Sequence, residues 1–266
     1  MIKPQRQKIL VGNWKMNGLR QDLNLPLEYQ NELNRLKESF KNKDIEKKYS
    51  EILTIFCPPL TLLSSMKDLY PNMVFGAQNC HENPYGAYTG EISAIMLKDS
   101  GADYVIIGHS ERQEIETTDQ IVKKIKASQD NGLIPIICVG EEKKENETEL
   151  FSILKKNMKN LLTGIQPELS WILAYEPQWA IGSGIAPSPS EVERYHVYLR
   201  HLVEDHFGPE IAQKVPILYG GSLQAENVSS YLSCQNIDGG LVGSSCLSAS
   251  TFAQMSASVL SIIKEF

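Results

Sequence analysis

The sequence lacks the features that mark membrane, secreted and metal-binding chains. No uninterrupted apolar stretch approaches the roughly eighteen residues of a membrane-spanning helix. The cysteines are odd in number and scattered, without a Cys-x-x-Cys pair, so neither a disulfide framework nor a zinc site is indicated. The basic segment 1–8 precedes a strand-like run, and not a long apolar region with a small-residue cleavage site. We therefore expect a soluble protein without a secretion signal, in the reducing cytoplasm.

An excess of positive charge is also missing. The formal net charge is −6, which disfavours nonspecific nucleic-acid binding because that depends on clustered Lys and Arg. The apolar fraction of 42% and the charged fraction of 22% are those of an ordinary globular protein. We expect no nucleic-acid and no membrane partner, although a small anion can still bind locally.

Apolar runs of strand length recur along the whole chain, and a turn signal and a longer amphipathic stretch follow each of them. This is the pattern of repeated βα units. Most runs are apolar without alternation, as strands buried on both faces should be. We predict eight strands, over Lys8–Gly12, Ile52–Cys57, Met73–Gly76, Tyr104–Ile107, Ile134–Val139, Trp171–Tyr175, Ile217–Tyr219 and Gly240–Val242.

Eight such units close naturally into an α/β fold of the (β/α)8 barrel type, with parallel strands ringed by helices. A doubly wound open sheet gives a similar string, so the count alone leaves that alternative open. No linker or shift in composition divides the chain, which predicts a single domain over residues 1–266. The polar segment Lys37–Glu51 predicts a solvated helix end and loop.

In a barrel the catalytic and binding residues follow the strands, and here a lysine follows strand 1 and a histidine follows strand 4. Asn13 and Lys15 lie two residues apart after strand 1, so they point the same way if the strand continues, and Lys15 could hold an anion. His109 follows strand 4, with Ser110 as the expected helix cap. The positive end of a helix would lower the pKa of His109 and keep it a neutral donor. A solvated lysine and a structural histidine remain the alternatives.

A carboxylate follows strand 6 directly. Glu176 is held by Pro177, and Gly182 and Gly184 supply the permissive backbone that a moving loop can use. The segment is typical of a carboxylate base beneath a mobile loop, or lid, that contains Gly182 and Gly184. A solvated loop glutamate beside an ordinary turn fits the same residues.

Two glycine-rich loops follow strands 7 and 8. The first contains Gly220-Gly221-Ser222 and the second contains Gly243 and Ser244. Backbone N–H groups near glycines form anion sites, and these two loops are the usual phosphate site of a barrel. A pair of tight βα turns is the alternative.

Taken together, these segments resemble the triosephosphate isomerase family. The matching motifs occur in family order as Gly-Asn-Trp-Lys-Met-Asn (12–17), Gly-His-Ser-Glu-Arg (108–112), Ala-Tyr-Glu-Pro-x-Trp-Ala-Ile-Gly-Ser-Gly (174–184) and Tyr-Gly-Gly-Ser (219–222). Gly-Ala-Gln-Asn-Cys-His (76–81), Thr-Gly-Glu-Ile-Ser (89–93) and Ile-Cys-Val-Gly-Glu (137–141) agree as well. The resemblance runs from about Lys8 to the C-terminus.

The resemblance implies a cofactor-free and metal-free isomerase of glycolysis and gluconeogenesis. It would interconvert dihydroxyacetone phosphate and glyceraldehyde 3-phosphate, with Glu176 as the base and His109 as the electrophile. Asn13 and Lys15 would complete the polar site. The substrate phosphate would lie among Gly182, Ser222, Gly243 and Ser244.

The resemblance also implies a homodimer. In this family the long third loop, here Gln78–Glu91, inserts into the partner subunit. It would bring Thr89 close to the other chain's Asn13 and Lys15.

Some positions depart from the family pattern. Gln113 stands where a second arginine is usual, and the stretch Glu114–Asp119 looks shortened and without the customary acidic position, so we expect a differently anchored helix 4. Ser244 replaces the commoner glycine, which leaves backbone N–H binding intact if the dihedral angles are tolerated. Segment 37–51 is longer than usual.

Two other functions remain open on the sequence. An isomerase of a four-carbon sugar phosphate could use the same scaffold and base, because a fold does not set substrate size. A phosphate-binding protein that has lost catalysis would need a second defect, since Lys15, His109 and Glu176 are all present.

Overall fold

In a computed structural model, which describes residues 6–39, 52–183 and 185–262, eight parallel strands form a closed barrel. Each strand pairs with its neighbours in sequence order, and β1 closes the barrel against β8. The strands are β1 Lys8–Asn13, β2 Ile52–Cys57, β3 Val74–Ala77, β4 Tyr104–Ile107, β5 Ile134–Val139, β6 Ile172–Tyr175, β7 Ile217–Tyr219 and β8 Gly239–Val242. The barrel is confirmed and the open sheet is excluded.

Helices surround the barrel. In the described part of the chain they are α1 Leu25–Ser39, α2 Leu60–Leu69, α3 Ala94–Asp99, α4 Thr118–Asp130, α5 Glu147–Leu161, α6 Pro189–Phe207, α7 Pro209–Lys214, α8 Val228–Leu232 and α9 Ala249–Ile262. No helix in these ranges has both the length and the apolar character to cross a membrane. Most of the predicted polar segment between strands 1 and 2, residues 40–51, lies outside the described residues.

The eight strand positions predicted from the sequence are right, with shifts of one residue at some ends. Strand β1 continues to Asn13 and β3 to Ala77, while Met73 and Trp171 lie just before β3 and β6. These ends differ because the pairing of each strand with both neighbours, and not its own composition, determines where the ladder begins and stops.

The strands are apolar along their length because both of their faces are buried. One set of side chains fills the barrel interior and includes Val11, Ile55, Ile106, Ile136 and Leu218. The alternate set packs under the helices in a second cluster. The barrel is therefore a packed core that leaves room for a site only at its rim.

Helix α4 does have an acidic anchor, so the expectation that this position is missing is wrong. The Glu116 side chain is 4% exposed and accepts hydrogen bonds from Arg112 Nε and from Lys124 Nζ, the latter at 2.7 Å. Lys124 also donates to Asn79 Oδ1 at 3.0 Å, which ties α4 to the loop after β3. Sequence spacing hid this role because the contacts form through side chains that converge only in the folded chain.

Candidate active site

A cavity of about 530 Å³ lies at the carboxyl ends of β1, β2, β3 and β4. Asn13, Lys15, His109 and Glu111 line it. Glu176 lies behind this cavity and is only 2% exposed. The structure thus brings residues from the ends of β1, β4 and β6 to one rim, as the barrel architecture predicts.

Lys15 is held in an unusual backbone conformation. Its φ of 54° makes it the only non-glycine residue with positive φ in the described ranges. Asn13 Oδ1 accepts the Lys15 N–H at 3.0 Å, and Gln78 Nε2 donates to the Lys15 carbonyl at 2.9 Å. Such strain persists only where surrounding contacts enforce it, and it is common at functional sites. Asn13 and Gln78 therefore orient the ammonium group toward the cavity.

Glu176 contacts the histidine directly. Its Oε1 lies 3.0 Å from His109 Nε2, and its Oε2 accepts the Ser110 backbone N–H at 3.0 Å. The Glu176 N–H donates to the Val139 carbonyl at 2.8 Å, which fixes the backbone of the carboxylate against β5. A Cβ atom at Gly220 would lie 2.8 Å from Glu176 Cγ, so only glycine fits on the β7 side. The carboxylate is therefore closely confined.

The hydrogen bonds of His109 define its neutral tautomer. Its Nδ1 accepts the Glu111 backbone N–H at 3.2 Å, so the ring proton resides on Nε2, which faces Glu176. His109 is thereby the cap of the short 3-10 segment Ser110–Arg112. The expectation that Ser110 caps this segment is wrong, because the His109 imidazole, and not the Ser110 hydroxyl, accepts the free Glu111 N–H. Within the described part of the chain, the Ser110 hydroxyl instead has no hydrogen-bond partner.

The predicted lowering of the His109 pKa is also wrong in this arrangement. Burial lowers the pKa of His109, but the adjacent Glu176 carboxylate, with help from Glu111, more than offsets burial and leaves the pKa raised. A single 3-10 turn supplies little dipole to oppose that carboxylate. The increase therefore lasts only as long as Glu176 stays against the ring.

Glu111 is a site residue that the sequence pattern did not single out. Its Oε1 lies 2.6 Å from Lys15 Nζ, and its Oε2 lies 3.8 Å from His109 Nδ1. The carboxylate is half exposed, so a bound anion could replace it on Lys15. Its place inside the 108–112 motif was the available signal.

Glu141 is a second carboxylate to which the sequence pattern assigned no role. Its Oε1 accepts hydrogen bonds from Tyr175 Oη at 3.0 Å and from Trp179 Nε1 at 2.7 Å. Burial raises the pKa of Glu141 to about 7, although both hydrogen bonds favour the carboxylate. Glu141 therefore connects the end of β5 to the residues on either side of Glu176 and Pro177.

The loops after β7 and β8 lie against each other beside Lys15. Ser245 Oγ donates to the Leu223 carbonyl at 3.2 Å, and a Cβ atom at Gly243 would lie 3.6 Å from Lys15 Cε. Ser244 begins a 3-10 segment, Ser244–Leu247, whose first N–H groups have no partner within the segment. Because Ser244 does not have a positive φ, its replacement of glycine causes no backbone strain.

Among the described residues of the lid, Gly182 and Ser183 do not contact the site residues. Gly182 is exposed, and no atom lies within 4 Å of the position that its Cβ would take. Ser183 Oγ accepts the Ile185 N–H at 3.1 Å, which folds the segment on itself. Ser222 follows Gly220, the glycine beside Glu176, by two residues, whereas Gly184 is outside the described residues.

The fold and site together define a (β/α)8-barrel enzyme with a carboxylate, an imidazole and an ammonium group at the C-terminal rim. The sequence matches the triosephosphate isomerase family model over residues 8–259. The chain belongs to the triosephosphate isomerase family, whose members interconvert dihydroxyacetone phosphate and glyceraldehyde 3-phosphate.

Individual relatives agree with this membership. The triosephosphate isomerase of Alkaliphilus oremlandii is 39% identical over 93% of this chain and 97% of its own length. That of Chlamydia trachomatis serovar D is 39% identical over 94% of this chain and 89% of its own length. The crystal structure of triosephosphate isomerase from Bartonella henselae has a TM-score of 0.81 and 32% identity, and the match covers 97% of this chain and 100% of that one.

Proposed function

We propose that Glu176, His109, Lys15 and Asn13 carry out the family reaction in this chain. The supporting observation is the Glu176–His109 pair, joined at 3.0 Å, at the rim of a cavity that Lys15 and Asn13 line. The substrate is a phosphorylated triose. The reaction moves a proton between C1 and C2 through an enediolate.

The resting contacts indicate what must happen first. Glu176, His109, Glu111 and Lys15 are now joined to one another. The substrate oxygen needs His109 Nε2, and the substrate charge needs Lys15 Nζ. Binding therefore exchanges Glu111 for substrate at Lys15, and it moves the Glu176 carboxylate from the ring toward C1.

Each group then has one task. The Glu176 carboxylate removes the C1 proton and returns it at C2, while His109 Nε2–H donates to the substrate oxygen that gains charge. Lys15 stabilises the same charge as a cation, and Asn13 keeps Lys15 in place. A preorganised donor of this kind contributes about 3 kcal/mol in the transition state.

The phosphate-binding part of the proposal uses Ser222, Gly243, Ser244 and Gly182. The contact of the Gly243 loop with Lys15 supports a phosphate near that cation. Gly182 is exposed at rest, so its part requires the lid to close. Closure would exclude water and hinder loss of phosphate from the enediolate.

The first test replaces the base. Glu176→Gln keeps the size of the side chain and removes its basicity, so isomerisation of glyceraldehyde 3-phosphate should fall about a thousandfold. Phosphoglycolate should still bind. The measurement is a coupled assay of purified protein, with Glu204→Gln on the exposed face of α6 as the control.

Unchanged turnover in Glu176→Gln would contradict the assignment of the base. A folded wild type that binds phosphoglycolate but does not turn over the triose would direct the assay to four-carbon ketose phosphates. If those also fail, the chain is a phosphate-binding protein.

We also propose that the chain forms a homodimer through the loop Gln78–Glu91, with Thr89 near the partner's site. The loop tip is exposed, and Tyr85 is 83% and Met16 99% exposed. Leaving these apolar side chains in water is unfavourable, and a partner would cover them. The loop is internally ordered, since Tyr88 stacks on His81 at 4.2 Å between ring centroids.

The dimer proposal is tested at the loop tip. Tyr85→Asp should convert the protein to monomers in light scattering after size exclusion and should reduce activity, because Met16 and Lys15 lose their cover. Leu169→Asp, at an exposed apolar residue between α5 and β6, is the control and should stay dimeric. A monomeric wild type with full activity would sink the proposal.

We propose a cytoplasmic location, because the cysteines are free thiols. All five are free, and all except Cys234 are buried. A reducing compartment suits such thiols. Cell fractionation that finds the protein in an oxidising compartment would exclude it.

A further inference from the structure

A pair of glutamine side chains joins the histidine loop to the segment between Glu176 and the lid glycine Gly182. Gln178 Nε2 donates to Gln113 Oε1 at 2.6 Å. Gln113 occupies the position where the family usually has an arginine. The bridge therefore replaces a family feature with a contact that depends on both glutamines.

Each end of this bridge is itself held. Gln113 donates its backbone N–H to the Ser110 carbonyl at 3.2 Å, and its Nε2 lies 3.5 Å from the Gly108 carbonyl. That orientation of the amide turns Oε1 toward Gln178. The Gln178 backbone N–H donates to the Glu141 carbonyl at 3.0 Å. The two amides thus link backbone that is fixed on either side.

The bridge runs beside the proposed catalytic pair. Gly108 immediately precedes His109, and Gln178 follows Glu176 by two residues with the stiff Pro177 between them. The direct contacts of Glu176 with His109 and Ser110 must break when the substrate arrives. The glutamine bridge does not contact the substrate site and can persist through that exchange.

Glutamine and arginine offer different hydrogen-bonding groups at position 113. A guanidinium has only donors, so an arginine there would keep a bond only if Gln178 turned its amide oxygen toward it, whereas a glutamine accepts the present bond with Oε1 while Nε2 donates. Both glutamines are half-buried, where a hydrogen bond competes less with water than it does on the open surface.

We propose that Gln113 and Gln178 are positioning residues for the isomerisation. Their hydrogen bond holds the Glu176 backbone at a fixed position relative to His109 while the carboxylate moves from its resting contacts to the substrate carbon. This inference rests on the proposed function, because it assumes that Glu176 is the base. Misplacement by about 1 Å can cost as much as a hundredfold in rate, so a moderate loosening has a measurable effect.

The test is a double-mutant cycle of Gln113→Met, Gln178→Met and the double variant. Methionine keeps the length of the side chain and cannot replace the hydrogen bond. We expect kcat to fall about tenfold in each single variant and no further in the double variant, because one bond is lost in all three. KM and phosphoglycolate affinity should change less than about twofold, because the bridge does not contact the phosphate.

Two further variants test whether the loss of kcat comes from the loss of the glutamine bridge. Gln113→Glu keeps an acceptor for Gln178 Nε2, so it should retain clearly more kcat than Gln113→Met. Gln30→Met removes the similar amide bond to Asn34 on α1, at 3.0 Å, and should leave kcat and KM unchanged. Thermal unfolding of all variants should remain within a few degrees of the wild type.

Three results would overturn the inference. They are single-variant losses that multiply in the double variant, a kcat in Gln113→Glu as low as in Gln113→Met, or a loss confined to KM. Wild type and Glu176→Gln are assayed in the same series. An active wild type with an inactive Glu176→Gln leaves the proposed function standing even if the bridge proves irrelevant.

Discussion

At the scale of single residues, the buried carboxylate of Glu141 makes the stability of this protein depend on pH. Its pKa of about 7 in the folded state lies above the ordinary value of 4.5. The folded protein therefore holds a proton that the unfolded chain has released between about pH 4.5 and 7. The corresponding stability is full below pH 4.5 and is lost as the pH rises through 7.

We predict that Glu141→Gln removes this dependence. Between pH 5 and pH 8 the wild type should lose on the order of 3 kcal/mol of unfolding free energy relative to the variant, since one pKa unit corresponds to about 1.4 kcal/mol. Urea unfolding at several pH values measures the difference, with Glu168→Gln, at an exposed residue, as the control. Parallel pH curves for wild type and Glu141→Gln would contradict it.

At the scale of elements, the start of α6 follows the lid and has a complete capping box. Ser188 Oγ accepts the Glu191 N–H at 3.3 Å, and Glu191 Oε2 accepts the Ser188 N–H at 2.8 Å. Pro189 occupies the first helical position, where its missing N–H costs nothing. The cap therefore fixes where the lid ends and the helix begins.

We predict that Ser188→Ala destabilises the protein by about 1 kcal/mol, the usual cost of losing a cap. Ser65→Ala, at an exposed position inside α2, should be neutral, because alanine favours helix. Denaturant unfolding of both variants tests this. A cost as large for Ser65→Ala as for Ser188→Ala would argue against a specific capping effect.

At the scale of the whole molecule, we propose that residues 1–266 form one domain, and a buried ion cluster at the N-terminal rim supports it. Asp238 accepts hydrogen bonds from Arg6 Nε at 2.7 Å, from Arg200 Nη2 at 2.7 Å and from the Ile217 N–H at 2.9 Å. It thereby joins the start of the chain to α6, β7 and β8. Barrel closure by the β1–β8 pairing occurs at the same place.

Asp238→Asn should lower the unfolding free energy by about 3 kcal/mol. The reason is that the variant leaves the buried Arg200 without its carboxylate, and breaking a buried pair costs more than its net contribution. Thermal and urea unfolding at fixed protein concentration measure the effect. Asp205→Asn, at an exposed residue of α6, is the control. Equal stability of Asp238→Asn and wild type would show that the cluster does not hold the barrel closed.

The sequence by itself determined the eight strands and the candidate site residues, whereas the closure of the strands into a barrel was decided by the structure. The strands are local apolar runs, and the rule that barrel sites follow strands applies to the order of residues along the chain. Asn13, Lys15, His109 and Glu176 are therefore identifiable from their positions after the strands. The loops at Ser222, Gly243 and Ser244 follow from the same rule.

Only the tertiary structure decided how those residues are joined. The Glu176–His109 contact links positions 67 residues apart (176 minus 109). It raises the pKa of His109, whereas the local pattern predicted a lowered one. The Glu116–Lys124 ion pair and the Gln113–Gln178 bridge likewise join side chains from separate segments, whereas the cap that His109 provides is a local bond to the N–H of Glu111. Sequence periodicity reports on residues that are close along the chain. Hydrogen bonds and charge interactions depend on which residues the fold brings close in space.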